Sequence, residues 1–201
     1  TVNNADGSTN ATFEFNLENF GLVNLINVQV TDNLAAVFSP CGTPTVVSLT
    51  SDDFIVNSNF TGTGANTGLL AANSVLIAGN KGAILLTIRI PACTTTTFNN
   101  TATLTGTDPA GLPFTDTSVN GSDPDPDGDN DPVNNTGTTL VNTTATTVAG
   151  LAKRLVNLVN NTDGTSTATF EFNVENFGTT NVNNLQIFDN LSAVFAPCAT
   201  P

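Results

Sequence analysis

The sequence repeats itself. Residues 2–44 align with residues 159–201 without a gap, at a constant offset of 157. The copies share Asp6/Asp163, Gly7/Gly164, Phe13/Phe170, Glu14/Glu171, Asn19/Asn176, Asp32/Asp189, Phe38/Phe195 and Cys41/Cys198. Solenoids and propellers repeat every ~20–50 residues. A period of 157 instead fits whole domains in a row, each large enough to bury a core. The expected organisation is one unit over residues 1–147, lacking its own first strand, followed by the opening of an identical unit over 148–201. The chain has no Met and is expected to be a window on a longer array.

Hydrophobic alternation then sets the class. In Ala11-Thr-Phe-Glu-Phe-Asn-Leu-Glu18, Phe13, Phe15 and Leu17 share one side, and Thr12, Glu14, Asn16 and Glu18 share the other. That is the period of a half-buried strand. Residues 83–90 alternate as clearly, with Ile84, Leu86, Ile88 and Ile90 on one face. Further strands are expected at 26–32, 44–49, 54–57, within 69–77, at 98–106, at 114–119 and at 138–142. Residues 34–38 are expected to be irregular and apolar, and 60–68 a flexible loop. Residues 148–159 read as an extended first strand of the next unit, with a helix as the alternative. Many short strands separated by Gly, Asn and Asp turns specify an all-β, Ig-like antiparallel β-sandwich in tandem repeats.

The order of motifs resembles a known family. The strand Phe13-Glu14-Phe15 leads into Glu18-Asn19-Phe20-Gly21, then Asn27-Val28-Gln29-Val30-Thr31-Asp32-Asn33-Leu34. Phe98-Asn99-Asn100-Thr101-Ala102-Thr103-Leu104 and Asp116-Thr117-Ser118 follow, and Gly150-Leu151-Ala152-Lys153 opens the next unit. This is similar to the bacterial Ig-like conserved-repeat domains of large secreted and cell-surface proteins, the domain-of-unknown-function-11 class. The resemblance implies an all-β fold, an extracellular or surface location and tandem repetition. It implies no enzyme activity.

Charge narrows the partners. Seventeen Asp and Glu face four Lys and Arg, a net charge of −13. Such a surface repels nucleic acid and anionic lipid, and it favours divalent cations. No apolar run reaches the ~20 residues of a membrane span, so no membrane insertion is expected in this segment. The absence of His removes Ser/His and Cys/His nucleophiles and His metal sites. All 13 aromatics are Phe, so the surface lacks the Tyr and Trp most used at binding hot spots.

Four local features remain. Asp123, Asp125, Asp127, Asp129 and Asp131 alternate around Gly128, the spacing with which an acidic loop wraps Ca²⁺. Asp129 is expected to offer its backbone carbonyl. Asn134 stands where an EF-hand has its bidentate Glu, so a looser extracellular-type calcium loop is expected, against a solvated, proline-stiffened hinge as the plain alternative. Cys41 and Cys93 are the two cysteines of one period and form the natural disulfide pair, with two buried thiols as the alternative. Lys153 is a candidate for a Lys–Asn crosslink assisted by a carboxyl, with Glu171 on the following strand. Glu14 and Glu18 read as a solvated strand face rather than a glycosidase pair.

The expected function is a structural subunit of an extracellular or cell-surface fibre or stalk, whose partners are neighbouring copies of the same repeat. The alternative is an adhesin-type module that binds a carbohydrate or protein through loops 60–68 and 120–137.

Overall fold

A computed structural model describes residues 1–144 and 146–198. The chain divides into two units, Thr1–Thr146 and Thr147–Pro201. The first is an antiparallel β-sandwich. One sheet has the order β1-β2-β6-β4, from β1 (Val2–Asn3), β2 (Thr9–Glu18), β4 (Thr45–Thr50) and β6 (Lys81–Ile90). The other has the order β5-β3-β8-β9, from β3 (Leu25–Thr31), β5 (Val75–Leu76), β8 (Thr103–Thr107) and β9 (Pro113–Thr117). A further pair joins β7 (Thr97–Asn100) to β10 (Thr139–Asn142).

The core follows the alternation. Ile84, Leu86, Ile88 and Ile90 of β6 are fully buried, and Phe13 and Leu17 of β2 lie beside them. The longest ladder of this unit runs between β2 and β6, from Thr9↔Ile90 to Glu18↔Lys81. Val28 and Val30 of β3 face this layer from the second sheet. No described helix is long and apolar enough to cross a membrane.

Three segments depart from the sequence expectation. Residues 34–38 are not irregular: Leu34–Val37 forms a one-turn helix, α1, capped by Asn33, whose side chain accepts from the Ala36 amide. An Asn at this position satisfies an otherwise orphaned helix donor. Residues 54–57 do not form a strand. Ser51 Oγ accepts from the amides of Asp53 and Phe54, which bends the chain, and only Val56 makes an isolated bridge, to Leu70. The single strand expected over 98–106 is two, β7 and β8, in different sheets, so the chain changes layer at Thr101-Ala102.

Loop 60–68 is seated rather than flexible. Gly62 has φ +67°, and a Cβ there would lie 2.4 Å from Leu34 Cδ1, so only glycine lets the loop close on α1. Ala35 donates to the Gly62 carbonyl at 3.0 Å.

The second unit is a long hairpin, β11 (Ala149–Asn160) with β12 (Ser166–Asn176), then a short helix, α2 (Leu191–Phe195). Residues 148–159 are thus extended, with no helix. Local chemistry repeats faithfully between the copies. Asn190 caps α2 through the Ala193 amide, as Asn33 caps α1. Asn27 and Asn184 both take positive φ, 52° and 56°. In the first unit Asn27 lies where the β3–β8 register shifts, a strand bulge that Asn tolerates better than most residues. Burial does not repeat. Leu151, Leu155, Leu158, Phe172 and Val174 are all exposed in the second unit.

Candidate functional site

The acidic loop gathers only part of the expected set. Carboxylate oxygens of Asp125, Asp127 and Asp129 lie within 4.8 Å of one another. Asp123 and Asp131 stand outside this group. Asp123 Oδ1 accepts from the Asp125 amide at 3.1 Å, forming a turn of its own. The Asp131 amide donates to Asp129 Oδ1 at 2.8 Å. Asp129 joins through its side chain, where the spacing predicts its backbone carbonyl.

Asn135 closes the loop, a residue that spacing alone does not single out. Its Nδ2 faces Asp125 Oδ1 at 3.4 Å, Asp127 Oδ1 at 3.2 Å, the Asp131 carbonyl at 3.5 Å and Asn134 Oδ1 at 2.7 Å. Two N–H bonds thus meet four oxygens, a concentration of acceptors that suits a hard cation. Burial raises the carboxyl pKa of Asp125, and the Asn135 donor lowers that of Asp127. The residues present therefore fit an oxygen-ligated divalent ion at a three-carboxylate loop, without the full five-residue wrap. Asp116, on β9, adds to this negative region. Burial, with a smaller contribution from Asp131, pushes its carboxyl up to about 6, and its Oδ1 has no hydrogen-bond partner.

A second polar cluster is buried at the layer change. Asp32, at the end of β3, is 1% exposed, and Asn100, at the end of β7, is 2% exposed. Asn100 Nδ2 donates to Asp32 Oδ2 at 2.7 Å. The other oxygens, Asp32 Oδ1 and Asn100 Oδ1, have no partner. Buried polar atoms are almost always paired, so two orphans side by side stand out. Desolvation raises the Asp32 carboxyl to about 6 against the Asn100 donor. Neither residue stands out as a site in the sequence, because nothing in a linear pattern distinguishes a buried Asp or Asn from a solvated one.

An open slot runs beside this cluster. The outer edge of β2 is paired only at Thr9 and Asn10, by the stub β1. Beyond Asn10, no described strand of this unit covers that edge. A cavity of about 290 Å³ follows it, with Phe13, Phe15, Leu17, Asn100, Ala102 and Asp116 in its walls.

Cys41 and Cys93 form a disulfide, with Cα atoms 4.9 Å apart. It ties the turn after α1, which leads into β4, to the segment that leaves β6, the neighbour of β4 in the same sheet. Cys198, the counterpart of Cys41, is a free, exposed thiol.

Lys153 does not engage Glu171. Neighbouring residues on a strand face opposite sides, so Arg154 takes Glu171, and Lys153 reaches Asp189 Oδ2 at 2.7 Å. The Lys153 ammonium also lies 4.3 Å from the centre of the Phe170 ring. Glu14 is exposed, whereas Glu18 is only partly wetted and is held by Lys81 at 2.8 Å. Glu14 and Glu18 form no cleft between them. No family model matches the chain, and no curated protein is similar to it.

Proposed function

We propose that the chain is a structural segment of an extracellular fibre or stalk built from tandem Ig-like repeats, of the bacterial conserved-repeat class its motif order resembles. The observation that carries this reading is the match of register between copies. Val2↔Asn10 and Asn3↔Thr9 in the first unit become Val159↔Thr167 and Asn160↔Ser166 in the second. The stub β1 thus sits on β2 in the register that the last residues of β11 hold on β12. The second unit is a hairpin with an exposed apolar face, which suits packing against further β-structure, since two-stranded ribbons are marginal alone. The disulfide and the acidic surface support a location outside the cytosol.

Electron microscopy of native assemblies tests the reading. The expected result is a filament whose axial spacing equals one 157-residue unit. Monomeric particles at all concentrations would exclude it. A specific hit on a glycan array would move the function to the adhesin alternative.

The same reading assigns calcium to Asp125, Asp127 and Asp129. A bound cation would relieve their mutual repulsion and stiffen the loop. Extracellular calcium modules bind at about 10⁻⁴–10⁻³ M. Calcium at ten times its Kd should therefore stabilise the folded unit by about 1.4 kcal/mol. Asp127→Asn should abolish that gain while magnesium fails to reproduce it. Thermal melts with and without chelator give the measurement, and identical midpoints would rule out a structural ion.

A further inference from the structure

We propose that Asn120–Gly121 is a self-modification site. The Asn120 side chain closes on the amide that follows it, loses ammonia and leaves a carboxylate at the entrance of the acidic loop.

The sequence holds Asn-Gly at this one place. A glycine after asparagine leaves the amide nitrogen unshielded, since it has no Cβ to crowd the attack or restrict the backbone. The fold leaves the pair free to use that chemistry. Both residues are exposed, in the bend that follows β9. Among the described residues, neither the Asn120 side chain nor the Gly121 amide has a hydrogen-bond partner. Gly121 has φ +131°, and a Cβ built there would meet nothing within 4 Å, so the bend has room to rearrange. The chain is pinned on either side of it. The Ser118 amide donates to the Ala102 carbonyl at 2.9 Å, and the Asp125 amide donates to Asp123 Oδ1 at 3.1 Å. Ring closure therefore needs only a local movement between two fixed points.

Other asparagines of the region are tied down. Asn100 Nδ2 bonds Asp32, and Asn134 Nδ2 donates to Asp129 Oδ2 at 2.9 Å. Asn73 is also exposed and untied among the described residues, but Ser74 follows it, and that side chain shields the amide.

The step balances with water alone. The Gly121 amide gives its proton to hydroxide, and its nitrogen attacks Cγ of Asn120. The N–Cγ bond forms and the Cγ–Nδ2 bond breaks. Nδ2 takes a proton from water and leaves as ammonia. Water then opens the five-membered imide at either carbonyl. Opening at Cγ gives Asp at position 120. Opening at the backbone carbonyl gives an isoaspartyl link, in which the main chain runs through the side chain and is one carbon longer. Either product adds a negative charge three residues before Asp123, in a chain already at −13. Ammonia is lost to solvent, so the change runs one way, and the converted fraction records the age of the molecule. None of this depends on the fibre or the calcium reading.

The test follows the full chain over days at neutral and at mildly alkaline pH. The expected result is ammonia release that is faster at the higher pH. The fragment containing residue 120 should turn into Asp and isoaspartyl forms, the latter labelled by an isoaspartyl methyltransferase. The folded chain should react within about tenfold of its rate in urea, a barrier difference of at most about 1.4 kcal/mol. Asn120→Gln, which would have to close a larger ring, should lose the reaction and keep the fold, since the replaced side chain bonds no described group. Asn73 in the same sample should stay unchanged. A folded chain slower than that limit would show that the bend holds the pair out of reach and would overturn the site. Isoaspartate at Asn73 ahead of Asn120, or ammonia release undiminished in Asn120→Gln, would overturn it as well.

Discussion

Replacing Cys41 and Cys93 together by alanine should cost the first unit up to about 4 kcal/mol. The disulfide closes a loop with a sequence separation of 52, and the chain-entropy relation gives this value for a loop of that size. The enclosed segment carries β4 and the central strand β6 of one sheet and β5 of the other, so the unfolded chain regains freedom in both when the bond is lost. Cys41 is nearly buried and packs within the core, which adds a small loss of packing to the entropic effect. The measurement is urea unfolding of both forms in a Cys198→Ser background, which prevents the exposed thiol from exchanging. A change in midpoint worth less than about 1 kcal/mol would show that the crosslink is redundant.

Asp32→Asn should act in the opposite direction and raise stability at pH 7 by about 3 kcal/mol. The folded-state pKa of Asp32 is about 6 against an ordinary 3.8, and each unit of difference corresponds to about 1.4 kcal/mol. The raised value fixes the sign. Below pH 3.8 the carboxyl is protonated in both states, and its contribution is fully present. As pH rises toward 6 the unfolded state gives up its proton first, so stability is lost through that window and is lowest above it. An amide at position 32 carries no charge to bury. It keeps an acceptor for Asn100 Nδ2 and supplies a donor for the unpartnered Asn100 Oδ1. Denaturant midpoints at pH 4 and pH 7 should therefore show the variant's advantage growing with pH. Asp116 adds to the wild-type loss in the same direction, and Asp6, held low chiefly by Ser8, opposes it. A gap between variant and wild type that is independent of pH would refute this account of Asp32.

The strands most visible in the sequence are those whose two faces differ most. β2 and β6 alternate cleanly because one side meets the core and the other meets water, and both extend slightly beyond the alternation that revealed them. Periodicity reports which way a side chain faces but not which strand lies beside it. The segment 98–106 keeps its alternation while moving from the β7–β10 pair to the β3–β8 sheet, so one expected strand became two. Residues 54–57 have strand-like composition, but the Ser51 turn dictates their path, and Ile55 ends up exposed.

The candidate sites divide in the same way. The acidic loop was legible because its chemistry is local in sequence, although two of its five aspartates turn to backbone amides or away from the cluster. The Asp32–Asn100 pair was not legible. Its members are 68 residues apart, and only the fold, which brings the end of β7 to the residue that follows β3, makes them neighbours. Lys153 was legible as a candidate, but its partner was not, because strand pairing alone sends Glu171 to Arg154.

The hydrogen bond from Asn3 Nδ2 to the Thr144 carbonyl, at 2.6 Å, brings the two ends of the first unit to the same pole. Pulled by these ends, the unit would peel open one rung at a time, starting at β1. The disulfide limits how far this can go. The segment between Cys41 and Cys93 holds β4, β5 and β6, and it cannot be drawn out by the ends while the bond stands. The ten rungs between β2 and β6 lie along about 33 Å of strand, so a pull along them loads them in shear, all at once.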